Sequence, residues 1–263
     1  MSQKLTEVAE LLQKSNRVLF ITGAGVSADS GLPTYRGVGG LYNQQHTEDG
    51  YAIEECLSGP MFRAKPEITW KYMLQLGIAI AEHRPNDAHQ IIAQWEKRFA
   101  KRGGKVVIVT QNIDGYHRAA GSMNVYEFHG SIGTLDCTEC SWSESFNLDE
   151  GILERLKMLQ QSLPPRCPQC NAVIRPRIVL FEEMLPRKVL EDFQDEFDGG
   201  FDMVFSIGTS GMFPYITGPV RTAAAKGIPT VEINPAESDL SHIVGIHLPM
   251  KAAEALREID RHI

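Results

Sequence analysis

The sequence predicts an α/β protein, a doubly wound parallel sheet interrupted by a smaller inserted domain. Three observations predict it. Short apolar runs recur at Val18-Leu19-Phe20-Ile21, Val106-Val107-Ile108-Val109, Met203-Val204-Phe205-Ser206-Ile207 and Thr230-Val231-Glu232-Ile233, nearly apolar throughout, as strands covered on both faces are. Helical stretches lie between them. Two regions break this alternation.

The first helix is expected over residues 3 to 14, where Leu5, Val8, Leu11 and Leu12 fall at helical spacing. Further helices are expected over Ala88 to Ala100 and Pro219 to Lys226, each followed within three residues by glycine. Residues 37 to 87 are rich in glycine, charge and aromatics without a clear strand, and residues 131 to 176 hold two cysteine pairs and the Pro164-Pro165 break. The expected division is therefore a Rossmann-like sheet domain of residues 1–36, 88–130 and 177–263. A helical module of residues 37–87 and a metal-binding module of residues 131–176 form the small domain.

With 33 acidic against 26 basic residues, the chain carries a formal charge of -7. That argues against non-specific binding to nucleic acid or anionic membrane. The polar N-terminus Met1 to Glu7 and the lack of about 18 consecutive apolar residues indicate neither a signal peptide nor a membrane span, and a cytoplasmic location is expected. Four of five cysteines form Cys137-Thr138-Glu139-Cys140 and Cys167-Pro168-Gln169-Cys170, which in a reducing compartment favours a metal over disulfides. Four thiolates suit structural Zn²⁺ and leave no open position on the ion. The 26 residues between the knuckles exceed the roughly 15 to 20 of a simple zinc ribbon, so an extra loop or helix, around Gly151 to Gln161, is expected there. Redox-active C-x-x-C is the alternative. Cys56 reads as an apolar filler.

Gly23-Ala24-Gly25-Val26-Ser27-Ala28 follows the first strand and fits the dinucleotide fingerprint in its form ending in alanine. Glycines there admit a pyrophosphate, and a following helix N-terminus would face it; a merely tight strand-to-helix turn reads the same way. The acidic residue expected about 20 positions on has only Glu48 and Asp49 as candidates, in a region without a strand. Gln111, Asn112 and Asp114 follow the second strand at the sheet edge where such folds bind ligands, although Asn112 or Asp114 could equally cap the next helix.

The longer run from Gly23 to Arg36, with Tyr35 at a position that is usually phenylalanine, resembles the signature of the sirtuins, NAD-dependent protein-lysine deacylases. The resemblance continues at Thr110 to Asp114, His129-Gly130, both cysteine pairs, Gly208-Thr209-Ser210 and Ile233-Asn234. It implies that NAD is held by Gly23, Ala24, Gly25, Ser27, Ala28, Tyr35, Arg36, Gln111, Asn112, Ile113, Asp114, Gly208, Thr209, Ser210, Asn234 and Pro235, with an adenine contact near Ala252. Ile113 and Asp114 would bind the carboxamide of nicotinamide, while Gln111 and Asn112 would face the ribose. His129 and Asn112 would be catalytic. In the implied chemistry the acyl-lysine oxygen attacks C1′ of the nicotinamide ribose, nicotinamide leaves, and His129 activates a ribose hydroxyl against the resulting O-alkylimidate. Lysine and O-acyl-ADP-ribose result. An imidazole titrating near neutral pH suits that base role.

Arg175 to Glu183 resembles the sirtuin strand that pairs with substrate peptide, so Val179, Phe181, Glu182 and Glu183 are candidate substrate contacts. Glu182 stands where glycine is usual and is expected to narrow the cleft or favour basic peptides; Phe213 stands at a position that is usually valine, on the opposite wall. Aligned on Trp70, Met73 and Leu76 occupy the places where carboxylate-acyl sirtuins carry tyrosine and arginine. Apolar acyl groups are therefore expected, or else both residues are plain helix core. Mono-ADP-ribosyl transfer or NAD hydrolysis in the same pocket, and a non-enzymatic NAD-sensing module, are the rival readings.

Overall fold

The computed structural model describes residues 1–32, 46–146 and 152–263. In chain order its elements are α1 (Ser2–Lys14), β1 (Arg17–Thr22), α2 (Ala24–Ser27), α3 (Ile53–Cys56), α4 (Gly59–Ala64), α5 (Pro66–Glu82), α6 (Asp87–Lys101), β2 (Lys105–Thr110), α7 (Tyr116–Ala119), β3 (Val125–Glu127), β4 (Gly130–Cys137), β5 (Ser143–Ser145), α8 (Ile152–Gln160), β6 (Ile174–Ile178), α9 (Arg187–Asp198), β7 (Met203–Ile207), α10 (Pro214–Ala225), β8 (Thr230–Ile233), β9 (Ile246–Leu248) and α11 (Ala252–Asp260).

Six strands form a parallel sheet in the order β3-β2-β1-β7-β8-β9. The chain winds outward in both directions from β1 and β7, so the topological switch point, where such sheets bind ligands, lies at their carboxyl ends. Alternation along β1 explains the double winding. Val18 and Phe20 join the core with Leu12 of α1, Trp95 of α6 and Leu256 of α11, while Leu19 and Ile21 face the opposite core with Phe193 of α9 and Val220 of α10.

The second sheet is small and antiparallel, in the order β5-β4-β6. It shares a core with α4, α5 and α8, including Trp70, Met73, Leu135, Leu156 and Ile174, and the Trp70 indole N–H donates to the Ile174 carbonyl at 2.8 Å. Helix α8 is the extra element expected between the cysteine pairs.

Two expectations need correction. Helix α10 begins at Pro214 rather than Pro219, because Pro214 at its first position supplies the preset φ of a helix start. Pro219 lies inside it and, lacking an N–H, gives the Tyr215 carbonyl no helical bond. The helix after the glycine turn is a single turn, α2, followed by a 3-10 turn Ala28–Ser30 and by Gly31 at φ +94°. One turn sums few peptide dipoles, so individual N–H groups, not an extended macrodipole, are what this turn offers an anion.

Candidate active site and candidate zinc centre

The two glycine turns at the switch point are built against each other. The Gly23 N–H donates to Ile207 O at 3.0 Å and the Gly25 N–H to Gly208 O at 2.8 Å. A Cβ on Gly25 would lie 2.6 Å from Gly208 Cα, and Gly208 itself sits at φ +61°. Backbone-to-backbone packing therefore requires these glycines before any ligand arrives, and the same missing side chains leave bare main chain for a pyrophosphate.

Around these turns the predicted polar residues form one network. Gln111 Nε2 donates to Thr209 Oγ1 at 2.8 Å, and Asn234 Nδ2 to Thr209 O at 3.0 Å. Asn112 is buried and donates to Gly23 O at 3.1 Å and Ser27 Oγ at 3.2 Å. Ser27 Oγ donates to Asp114 Oδ2 at 2.7 Å. Asp114 Oδ1 accepts the Tyr116 N–H at 2.9 Å, but the N-cap of α7 is Gly115, so neither Asp114 nor Asn112 takes the capping position weighed for it; one oxygen of Asp114 steadies the entry to α7 and the other joins the network. Burial raises the Asp114 carboxyl above its usual range, against the pull of the Tyr116 and Ser27 bonds.

Beneath this layer lie side chains that the sequence pattern did not single out. His89, at the third position of α6, completes a capping box with Asn86 and approaches Ser27 Oγ at 3.4 Å. Its ring packs edge-on against His117 at 4.9 Å, and His117 Nε2 lies 3.0 Å from Thr22 Oγ1. Burial lowers His89 to about 4 and His117 well below its usual value, so both rings are neutral near pH 7. A histidine among apolar helix residues carries no periodic signal, and only the capping position after Asn86 marks His89.

His129 occupies the joint between the sheets, after β3 and before β4. The Val179 N–H donates to its carbonyl at 2.8 Å, and Gly130 stands at φ +74° with the Arg177 carbonyl oxygen where a Cβ would need room. The glycine after His129 is thus required by β4–β6 pairing. Burial lowers the His129 imidazole below its usual value, partly offset by a hydrogen bond to the Gln111 main chain. Its Nε2 lies 2.8 Å from Tyr215 Oη, a partner absent from the sequence expectations although Tyr215 follows Phe213 closely.

The remaining predicted positions scatter more widely. Met73 is 1% exposed and, with Leu76 packed against the same cluster, belongs to the small-domain core, which accounts for both without a ligand. Phe181 bonds through its N–H to Leu57 O and through its carbonyl to the Gly59 N–H, clasping the helical module. Glu183 accepts Arg175 through both oxygens, at 2.7 and 2.8 Å; burial pushes its carboxyl up, and Arg175, the Leu180 N–H and the Arg63 charge together more than reverse that. Glu182 and Phe213 are exposed. Ala252 is buried at the start of α11, so its side chain belongs to the core and offers no exposed surface to an adenine. Glu48 and Asp49 pair with Lys71 at 2.8 Å in the small domain, so neither is the acidic partner of a second strand. Tyr35 and Arg36 lie outside the described residues.

All four paired cysteines come together. Their sulfurs lie within 4.8 Å of one another, with Cys137 to Cys170 at 3.4 Å and Cys140 to Cys167 at 3.7 Å. Four sulfurs each about 2.3 Å from one ion stand roughly 3.8 Å apart, so the set fits tetrahedral Zn²⁺. The Glu139 and Gln169 N–H groups point at Cys137 Sγ and Cys167 Sγ, at 3.3 and 3.4 Å, as befits thiolates. Cys56 is fully buried, and burial raises its thiol, consistent with apolar filler.

Comparison with known proteins agrees with this arrangement. The Sir2 family model matches residues 23–213. An NAD-dependent protein deacylase 2 of Pseudomonas syringae pv. tomato is 45% identical over 261 residues, covering 98% of this chain and 100% of that protein. A Sir2 homologue solved as an NAD complex superposes with a TM-score of 0.80 at 32% identity, covering 97% of this chain and 92% of that one. A Sir2 protein solved with p53 peptide and NAD⁺ gives 0.79 at 28% identity, covering 97% and 96%. The chain belongs to the Sir2 family.

Proposed function

We propose that the chain is an NAD-dependent protein-lysine deacylase in which His129 is the general base. The observation that carries this reading is the position of His129. It stands at the joint between the sheets, its carbonyl bonded to the Val179 N–H and its imidazole under the influence of the Gln111 main chain, while the Gln111 side chain belongs to the network of the two glycine turns. Gly23 to Ala28 and Gly208 to Ser210 would hold the pyrophosphate side of NAD, with Asn234 and Pro235 beyond them and main chain near Ala252 toward adenine. Gln111 to Asp114 would hold the nicotinamide end. NAD supplies ADP-ribose as acyl acceptor and nicotinamide as leaving group. The protein's own part is to orient these groups, exclude water and take one proton at His129. The lowered imidazole suits this, because the ring stays neutral and able to accept at neutral pH.

The four-cysteine centre would hold structural Zn²⁺ with no open position. Residues 1–36, 88–130 and 177–263 serve as the NAD domain; 37–87 and 131–176 form the small domain. The substrate is an acyl-lysine peptide lying near Val179, Glu182 and Phe213, with an apolar acyl group. No helix among the described residues is long and apolar enough to cross a membrane, and two cysteine pairs read as metal ligands instead of disulfides suit the cytoplasm.

Mass spectrometry of an acetyl-lysine peptide incubated with NAD tests the reading. O-acetyl-ADP-ribose is the expected product; ADP-ribose alone would indicate hydrolysis, and no turnover a binding module. His129→Ala is expected to lower deacylation on the order of 10²- to 10⁴-fold, and a variant that deacylated at the wild-type rate would remove His129 from the mechanism.

A further inference from the structure

His129 does not face the site alone. Tyr215 is the second residue of α10, after Pro214, and its phenol oxygen lies 2.8 Å from His129 Nε2. Three rings hold it there. Phe213 stacks on it with centroids 5.4 Å apart and planes at 17°, Phe128 packs at 6.1 Å, and His129 meets it nearly edge-on at 6.0 Å. A side chain on a helix start with three rings packed on it is a fixture, not a lid.

Which atom of the pair donates depends on the tautomer of the ring. A general base needs a bare nitrogen; in the tautomer with Nε2 unprotonated, Nε2 is the acceptor and the phenol donates to it. The atom that must accept the substrate proton is therefore already covered by an O–H, whose oxygen keeps lone pairs of its own with which to accept.

We propose that Tyr215 is the proton conduit of this site, and that His129 withdraws the substrate proton through the Tyr215 hydroxyl and not by direct contact. The O–H bond of the reacting hydroxyl breaks as a new one forms on Tyr215 Oη, while the original phenol proton moves to His129 Nε2. The hydroxyl oxygen keeps its electron pair for attack. Tyr215 is neutral before and after, and the single proton ends on His129. Burial pushes the Tyr215 phenol up to about 12, so it stays protonated at neutral pH, as a conduit needs and a phenolate base would not.

This rests on the reading of His129 as the base, and the two can fail separately. If His129→Ala deacylates normally, that reading falls; if His129→Ala is dead while Tyr215→Phe is normal, only the conduit falls. Tyr215→Phe keeps the ring stack and removes one oxygen. Three readouts apply to it. In the NAD-free protein the His129 Nε2 resonance in ¹⁵N NMR is expected to move, as its donor is lost. NAD affinity and acyl-peptide-driven nicotinamide exchange, which precede the proton step, are expected to match wild type. Formation of O-acyl-ADP-ribose in a single turnover is expected to fall on the order of 10²-fold. An unchanged or faster transfer, or an equal loss in both steps, would overturn the proposal. Should the variant fold poorly, a proton inventory of the wild-type transfer step decides: a curved dependence on deuterium content is expected for two protons in flight, and a linear one overturns the conduit.

Discussion

Glu182 is a non-glycine residue held at φ +63°, in the left-handed region that costs an L side chain roughly 1–2 kcal/mol. Its neighbours force this turn: Phe181 is clasped to the α3–α4 connection through both main-chain groups, and Glu183 reaches back to Arg175 and to the Leu180 N–H. Asn171 adopts the same φ beside the second cysteine knuckle, where its short amide tolerates it. Glu182→Gly is therefore expected to raise stability by about 0.5–1 kcal/mol, strain relief exceeding the added chain entropy of glycine. An unchanged or lower urea midpoint would show that the Glu182 side chain stabilises the turn through contacts of its own. The sequence showed that glycine was missing here but not why, since the left-handed turn depends on Leu57 and Gly59, which are remote in the chain.

At the scale of elements, β4 and β6 carry both ends of one argument. Cys137 ends β4, and Ile174, which starts β6, pairs with it; at the far end of the same ladder Gly130 pairs with Ile178 and Val179 bonds to His129. The register shifts between Ser131 and Leu135, so a metal that holds the knuckles acts by keeping β4 and β6 together, and through them the paired end that positions His129. Stripping zinc with a chelator, or Cys167→Ser, is expected to expose β4, β5 and β6 to hydrogen exchange while β1, β2 and β7 stay protected, and to abolish deacylation although no cysteine touches the NAD pocket. Retained activity in metal-free protein would separate the two. The four apolar central strands were legible because burial on both faces leaves an unbroken apolar run. β4, β5 and β9 were not, being short, half exposed or mixed in polarity. Their pairing comes from contacts that local pattern does not encode.

Over the whole molecule, the site is a seam: the carboxyl ends of β1, β2, β7 and β8 supply its floor, and the joint into the small sheet supplies His129. Motifs named most of these residues because chemistry constrains them, whereas His89, His117 and Tyr215 were invisible because only the assembled seam brings them in. The buried histidines have a consequence for the entire fold. Both are neutral when folded, with values lowered from 6.5, His89 to about 4, whereas the unfolded chain protonates them near 6.5. Between those limits the unfolded state binds more protons, so stability is greatest above pH 6.5 and declines as pH falls. His89 alone corresponds to about 3 kcal/mol across that window, at 1.36 kcal/mol per unit. Urea midpoints measured from pH 7.5 to 4.5 are expected to fall steadily below pH 6.5. Glutamine at position 89 preserves the helix-start bond to the main chain, since it is a favoured residue three places after an N-cap. His89→Gln is thus expected to flatten the acid slope without lowering the midpoint at pH 7.5 by a comparable amount. A slope as steep as wild type would assign the acid sensitivity to His117 or to groups outside this pair.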